Sequence, residues 1–348
     1  MKLYFVWVCF FFALTVESTS LKSDDQYLGS VNKTVKTTTD IQGPITPHFN
    51  RFLLSHGYSD FNFARIDLGV IGSYGGKQSI QDQITKIPVV FVHGNSDGAL
   101  SDGSVYGTGW TSSIRYFLSQ GYTSAELFAT TWGDRKKENA YLRTHNCTTI
   151  NRIRTFMEAV LAYSNADKIN VISHSMGVAI ARKAIRGGII EADDEVCQLG
   201  PSMRSKINVF IGISGANYGM CQCAGGEKTA IYPTCNKKTG FWPGEPCTLT
   251  TMISPQDLCG STTMACSRNS YSQLLQEMNE DPYNEAQHVF SYWSYDDELI
   301  SYHDSVFNRS TSFVPFSNAT RVYRNLTHMA TKDNTTHIQY RLLTNYSF

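Results

Sequence analysis

A serine, a carboxylate and a histidine able to act together in nucleophilic catalysis occur in that order along this 348-residue chain. The serine is Ser175, in KINVISHSMGVAIARKAI. There an apolar, valine-containing run passes through Ser173-His174-Ser175-Met176-Gly177 into a helix-compatible stretch of Val, Ala, Ile, Arg and Lys. A strand that turns sharply into a helix lifts the serine hydroxyl clear of the sheet. It also sets that hydroxyl at the positive end of the helix dipole, where developing negative charge is favoured. Gly177 lets the helix approach the strand closely. The usual form of this motif is G-x-S-x-G, and Ser173 stands where the first glycine belongs. The string alone is therefore weak, and its strand-to-helix context carries the reading. A serine that only caps a helix would sit in the same string.

Such a nucleophile needs two amides for an oxyanion, a base, and an acid to orient the base. The residue after the serine, Met176, supplies one N–H. The loop HGNSDG, which follows the run IPVVFV, supplies the other through Asn95, with Gly94 allowing close approach to substrate. The same loop could instead be a plain tight turn, with His93 a structural histidine. For the acid, SYWSYDDELI offers Asp296 and Asp297, only one of which can face the base; either could instead cap a helix beginning at Glu298. For the base, RNLTHMATKDNTTHIQYRLL offers His328 and His337, with His303 a remote third. His328 falls in a loop-like stretch before a helical segment, whereas His337 falls inside the final amphipathic segment, so His328 is the better placed.

Positioning these groups requires a sheet. IPVVFVHG, SAELFATTW, KINVISHSMG, INVFIGISG and HVFSYWSYDD read as strands. TTINRIRTFMEAVLAYSNAD carries Ile150, Ile153, Phe156, Val160 and Leu161 on one helix face. Strands and helices alternate, as in a parallel sheet covered on both faces. The interval from Asn217 to about Ala286 breaks the pattern with clustered Cys, Gly, Pro and Thr. It reads as a disulfide-stapled excursion from the C-terminal edge of the sheet, where ligands bind in such folds.

The first residues, MKLYFVWVCFFFALTVESTS, have the layout of a cleavable secretory signal over 1–20, and the apolar run is too short to span a bilayer comfortably. Residues 21–44 read as a flexible leader and 45–348 as the folded domain. Removing the signal also removes Cys9. Cys147, Cys197, Cys221, Cys223, Cys235, Cys247, Cys259 and Cys266 remain, an even set suited to four bridges of undetermined connectivity. A zinc site is the competing reading, weakened by the absence of C-x₂-C spacing. Sequons at Asn32, Asn146, Asn308, Asn318, Asn325, Asn334 and Asn345 agree with export. The chain balances 30 Lys and Arg against 30 Asp and Glu and has no basic run, so nothing supports nucleic-acid binding.

The chain resembles the class 2 lipase family, particularly its nematode branch. The resemblance lies in TPHFNRFLLSHGYSDFNFARIDLG, GSYGGK, PVVFVHGNSDG, ELFATTWGD, NVISHSMGVAIARKAI, FSYWSYDDELI and THMATKDNTTHIQYRLL, spread from about residue 46 to the C-terminus. It implies an α/β-hydrolase fold and carboxylic-ester hydrolysis without metal or organic cofactor, on lipids such as triacylglycerols and possible action at a lipid–water interface. It favours Asp297, because the acid in related sequences directly precedes a pattern like Glu298-Leu299-Ile300. Small residues in place of the first motif glycine are familiar in this family. The alternative, a catalytically silent hydrolase-like binding protein, is opposed by the complete Ser175, Asp297 and His328 set. Oligomeric state is not fixed by the sequence.

Overall fold

The computed structural model describes residues 41–193, 195–246, 251–261 and 270–348. The expected signal peptide, the leader up to residue 40, Asn32, Cys247 and Cys266 lie outside the described residues.

Apolar runs with no polar interruption have no face to offer water, so they become interior strands. VVFV forms β2 (Val89–Val92), LFAT β3 (Leu127–Thr130), INVISH β4 (Ile169–His174) and INVFIGI β5 (Ile207–Ile213), and all of their residues are buried. HVFSYWS forms β6 (His288–Ser294). Two edge strands, β1 (Ser73–Tyr74) and β7 (Ala319–Tyr323), complete one sheet in the order β1-β3-β2-β4-β5-β6-β7. Only β1 is antiparallel to its neighbour. β1 has two residues, and β7 is mostly solvent-exposed. Neither carries the apolar run that marks the interior strands.

Helices cover both faces. Along β2 the side chains alternate, as the pleat dictates. Val90 and Val92 join the core of α1 (Pro47–Ser55), α3 (Cys147–Ser164), α4 (Met176–Arg186) and α5 (Gln273–Glu280), through Phe49, Ile153, Phe156, Val178 and Leu275. Val89 and Phe91 face the opposite core, where Ile114 and Phe117 of α2 (Thr111–Ser119) meet Ile338 and Leu342 at the C-terminus of the chain. Each fully buried side chain of this kind contributes about 1.5 to 3 kcal/mol. This is the α/β-hydrolase arrangement.

The interval 217–286 is not wholly an excursion. Its last part is α5, whose Leu274, Leu275 and Met278 are buried in the main core. α5 is thus the crossover helix between β5 and β6, which the surrounding Cys, Gly and Pro residues disguise in the sequence. Among the described residues the earlier part carries two disulfides, Cys221–Cys259 and Cys223–Cys235, and a third, Cys147–Cys197, ties the start of α3 to a nearby hairpin. Cys221 and Cys223 thus take different partners. Among the described residues no cluster of His, Cys, Asp or Glu is placed to hold a metal ion, and no helix is long and apolar enough to cross a membrane. Residues 41–44, expected in the leader, already join the fold: the Gly43 N–H donates to the Val70 carbonyl at 2.8 Å.

Candidate active site

The parallel register sets the C-terminal ends of the central strands side by side, with Val92 of β2 opposite Ser173 of β4 and His174 opposite Ile213 of β5. Ser175 follows directly, between β4 and α4, at φ 55° and ψ −132°, and makes no side-chain capping bond. A capping role is therefore not what this serine performs. Positive φ in a residue with a Cβ costs about 1 to 3 kcal/mol and persists only where its surroundings impose it. Here they do: the Ser175 N–H donates to the Ile213 carbonyl at 2.9 Å, and the Ser175 carbonyl accepts from Val178 at 2.9 Å.

Two glycines make the turn possible. A Cβ on Gly177 would lie 2.3 Å from the His93 carbonyl oxygen, and one on Gly94 would lie 2.7 Å from the Ser175 Cβ. The close approach expected at Gly94 is thus made first to Ser175 itself. Ser173 fits in place of the usual glycine because its buried hydroxyl has a partner, the Ile211 carbonyl at 2.9 Å.

Asp297 follows β6 and is buried, whereas Asp296 is exposed and accepts from the Asn325 N–H. No helix begins at Glu298. Instead Asp297 Oδ1 accepts from the N–H groups of Leu299 and Ile300 at 3.0 and 2.9 Å, the two aliphatic residues of the sequence pattern. Its Oδ2 lies 2.7 Å from His328 Nδ1. Burial pushes this carboxyl's pKa up, but the neighbouring His328 charge and hydrogen bonds more than offset it, leaving the pKa below the ordinary value.

His328 is buried and is the first residue of α6 (His328–Asp333), which Thr327 caps through a bond from the Ala330 N–H. The His328 N–H donates to Glu298 at 2.9 Å. The other candidate histidines stand apart. His337 is exposed on α7 (Thr336–Thr344), and His303 is exposed and stacked on Tyr295.

Ser175, His328, Asn95 and Met176 all line one cleft of about 550 Å³. Its remaining wall is largely apolar, with Tyr141, Met220, Phe241, Leu299, Ile300 and Met329 among the residues facing it. Asn95 is fixed by its side chain, which donates to the Ala140 carbonyl and accepts from Arg143.

Among the supports of the site, His93 takes the structural role that the sequence allowed it, whereas His174 and Lys332 had no signal in the sequence. His93 is structural: its Nε2 accepts from the Trp132 N–H at 3.0 Å and its ring stacks on the indole. His174 lies beside His328, with ring centres 4.5 Å apart, and its Nε2 lies 3.2 Å from the His328 carbonyl. Burial holds His174 neutral, well below the usual imidazole range. Lys332 of α6 is fully buried and forms an ion pair with Asp97 of the HGNSDG loop at 2.9 Å. Pairs this far apart in sequence leave no local pattern to read.

The family model for class 2 lipases matches residues 86–341. No curated protein sequence matches the chain. Among solved structures the chain is similar to a Bacillus licheniformis lipase, BlEst2, at 12% identity and a TM-score of 0.44, covering 78% of this chain and 98% of that one. It is also similar to a Paleococcus ferrophilus monoacylglycerol lipase, at 11% identity and TM-score 0.43, covering 75% and 97%. Aspergillus fumigatus lipase B matches at 11% identity and TM-score 0.43 over 75% of this chain, which spans about half (52%) of that protein. With the family model matching most of its length, this chain belongs to the class 2 lipase family and is a carboxylic ester hydrolase.

Proposed function

We propose that the chain is a secreted serine esterase acting on lipid esters such as acylglycerols. The observation that carries this reading is the shared cleft: Ser175 and His328 line one apolar cavity, with Asp297 behind the histidine. In this mechanism His328, oriented by Asp297, takes the proton of Ser175 as its oxygen attacks the ester carbonyl. The Asn95 and Met176 amides hold the oxyanion. Collapse expels the alcohol, protonated by His328. Water activated by the same histidine then releases the acid from Ser175.

Export is supported by the disulfides and by the surface placement of the sequons. Asn308, Asn318, Asn325, Asn334 and Asn345 are exposed, and Asn146 is half-buried at the start of α3. Comparing p-nitrophenyl acetate with p-nitrophenyl decanoate tests the reading. The apolar wall predicts higher kcat/KM for decanoate, and Ser175→Ala should reduce turnover of both by at least about a thousandfold. Equal turnover by the variant would remove Ser175 from the mechanism.

A further inference from the structure

The cleft wall carries two cations that the hydrolytic mechanism does not use. Lys137 begins the turn Lys137–Leu142, Lys228 lies in the short helix Gly226–Ile231, and both line the cleft that holds Ser175. The other charged side chains lining it already have partners, Asp97 in Lys332 and His328 in Asp297.

The lysines rest against aromatic rings that also line the cleft. Lys137 Nζ lies 5.1 Å from the centre of Tyr106 and Lys228 Nζ lies 5.4 Å from that of Tyr232. Among the described residues, the ion pairs of lysines involve Lys237, Lys238 and Lys332, and neither Lys137 nor Lys228. Their sequence neighbours Glu138 and Glu227 are exposed and do not line the cleft. The two walls meet where Tyr141 packs edge-on against Tyr232 at 5.7 Å. A lysine held on a ring keeps its full charge and three donors for an incoming anion. The wall therefore combines apolar surface for a chain with two ammonium groups that no described carboxylate pairs.

We infer that the preferred substrate is an amphiphilic ester carrying an anionic group, bound by Lys137 and Lys228 while its acyl chain fills the apolar part of the cleft. This rests on the catalytic reading above and narrows its substrate class, since a neutral acylglycerol offers these lysines no counter-charge. The anion can belong to the alcohol half, as a phosphate on glycerol, or to the far end of the acyl chain, as a second carboxylate.

Two matched pairs of monomeric substrates test the inference at low salt: 1-decanoylglycerol 3-phosphate against 1-decanoylglycerol, and monomethyl sebacate against methyl decanoate. The expected result is a kcat/KM ratio of about five to ten in favour of the anion in at least one pair, falling toward one in K137Q/K228Q. The pair that shows it identifies which half carries the charge. A wild-type ratio near one in both pairs, or a ratio that the double substitution leaves unmoved, overturns the inference.

Binding separates this from failure of the catalytic reading. Ser175→Ala protein should bind decyl phosphate more tightly than decanol by a similar factor, and adding K137Q/K228Q should erase the difference. Equal binding of the two overturns the lysine site whatever the chemistry at Ser175.

Discussion

The Lys332 ammonium lies 2.9 Å from the Asp97 carboxylate, although 235 positions separate the two residues and both are buried. Lys332 stands on the helix that begins at His328, and Asp97 stands in the loop that carries Asn95. The pair therefore fixes the proposed base relative to the proposed oxyanion donor. Asp97 Oδ1 also accepts from the Gly109 N–H, which extends the tie to the start of α2.

Breaking this pair strands a buried charge. Lys332→Met is expected to destabilise the protein by about 3 to 5 kcal/mol in urea unfolding. Asp97→Asn in the same chain should recover part of that loss, because the stranded carboxylate is removed. A single variant as stable as wild type would show that the pair does not hold the two segments together.

The acid assignment separates two adjacent aspartates. Asp297→Asn should lower kcat by about 10⁴ while the protein stays folded, because the histidine loses the partner that sets its tautomer. Asp296→Asn, at an exposed position, should change activity and stability by less than about 0.5 kcal/mol. The reverse ranking in steady-state assays would move the acid to Asp296.

Gly94 is expected to tolerate no side chain without a catalytic loss. The added Cβ of Gly94→Ala would fall 2.7 Å from the Ser175 Cβ, so the loop or the serine must shift. A displacement approaching 1 Å at a reacting centre costs on the order of a hundredfold, which should appear in kcat more than in KM. Unchanged kcat would mean that the loop yields without disturbing the serine.

The pH dependence of stability follows from buried groups. Burial holds His93 down to about 3 and His145 to about 4, and holds His174 well below the usual range. Below a pH of about 6.5 the unfolded chain binds protons at these histidines and the folded chain does not, so stability is lost as pH falls. Asp304 acts in the opposite sense. Burial raises it to about 8, so the folded chain keeps a proton that the unfolded chain releases, and stability declines as pH rises from about 4 to about 8. Thermal melts should therefore show a loss of Tm below about pH 6. Asp304→Asn should raise Tm more at pH 8 than at pH 5, and an equal shift at both would refute the Asp304 assignment.

The interior strands and the turn at Ser175 were legible because uninterrupted valine-rich runs and a strand-to-helix turn are local signals. Asp297 and His328 were candidates from chain order and the family resemblance, and they lie 2.7 Å apart. The supports were not. Lys332, Asp97 and His174 are polar residues buried by partners distant in sequence, and nothing in their neighbours announces it. α5 was hidden for a different reason: its apolar residues follow a Cys- and Gly-rich stretch that dominates the composition there. His328 was expected in a loop and instead opens a helix, because the Thr327 cap lies one residue before it.

Everything proposed for the cleft depends on Ser175 being an activated nucleophile. Treating the folded protein with a fluorophosphonate probe and locating the adduct by peptide mass spectrometry tests it directly. A single adduct on Ser175 is expected, absent in Ser175→Ala and much slower to form in His328→Ala. A folded wild-type protein that takes no label, or one whose labelling survives Ser175→Ala, would contradict it.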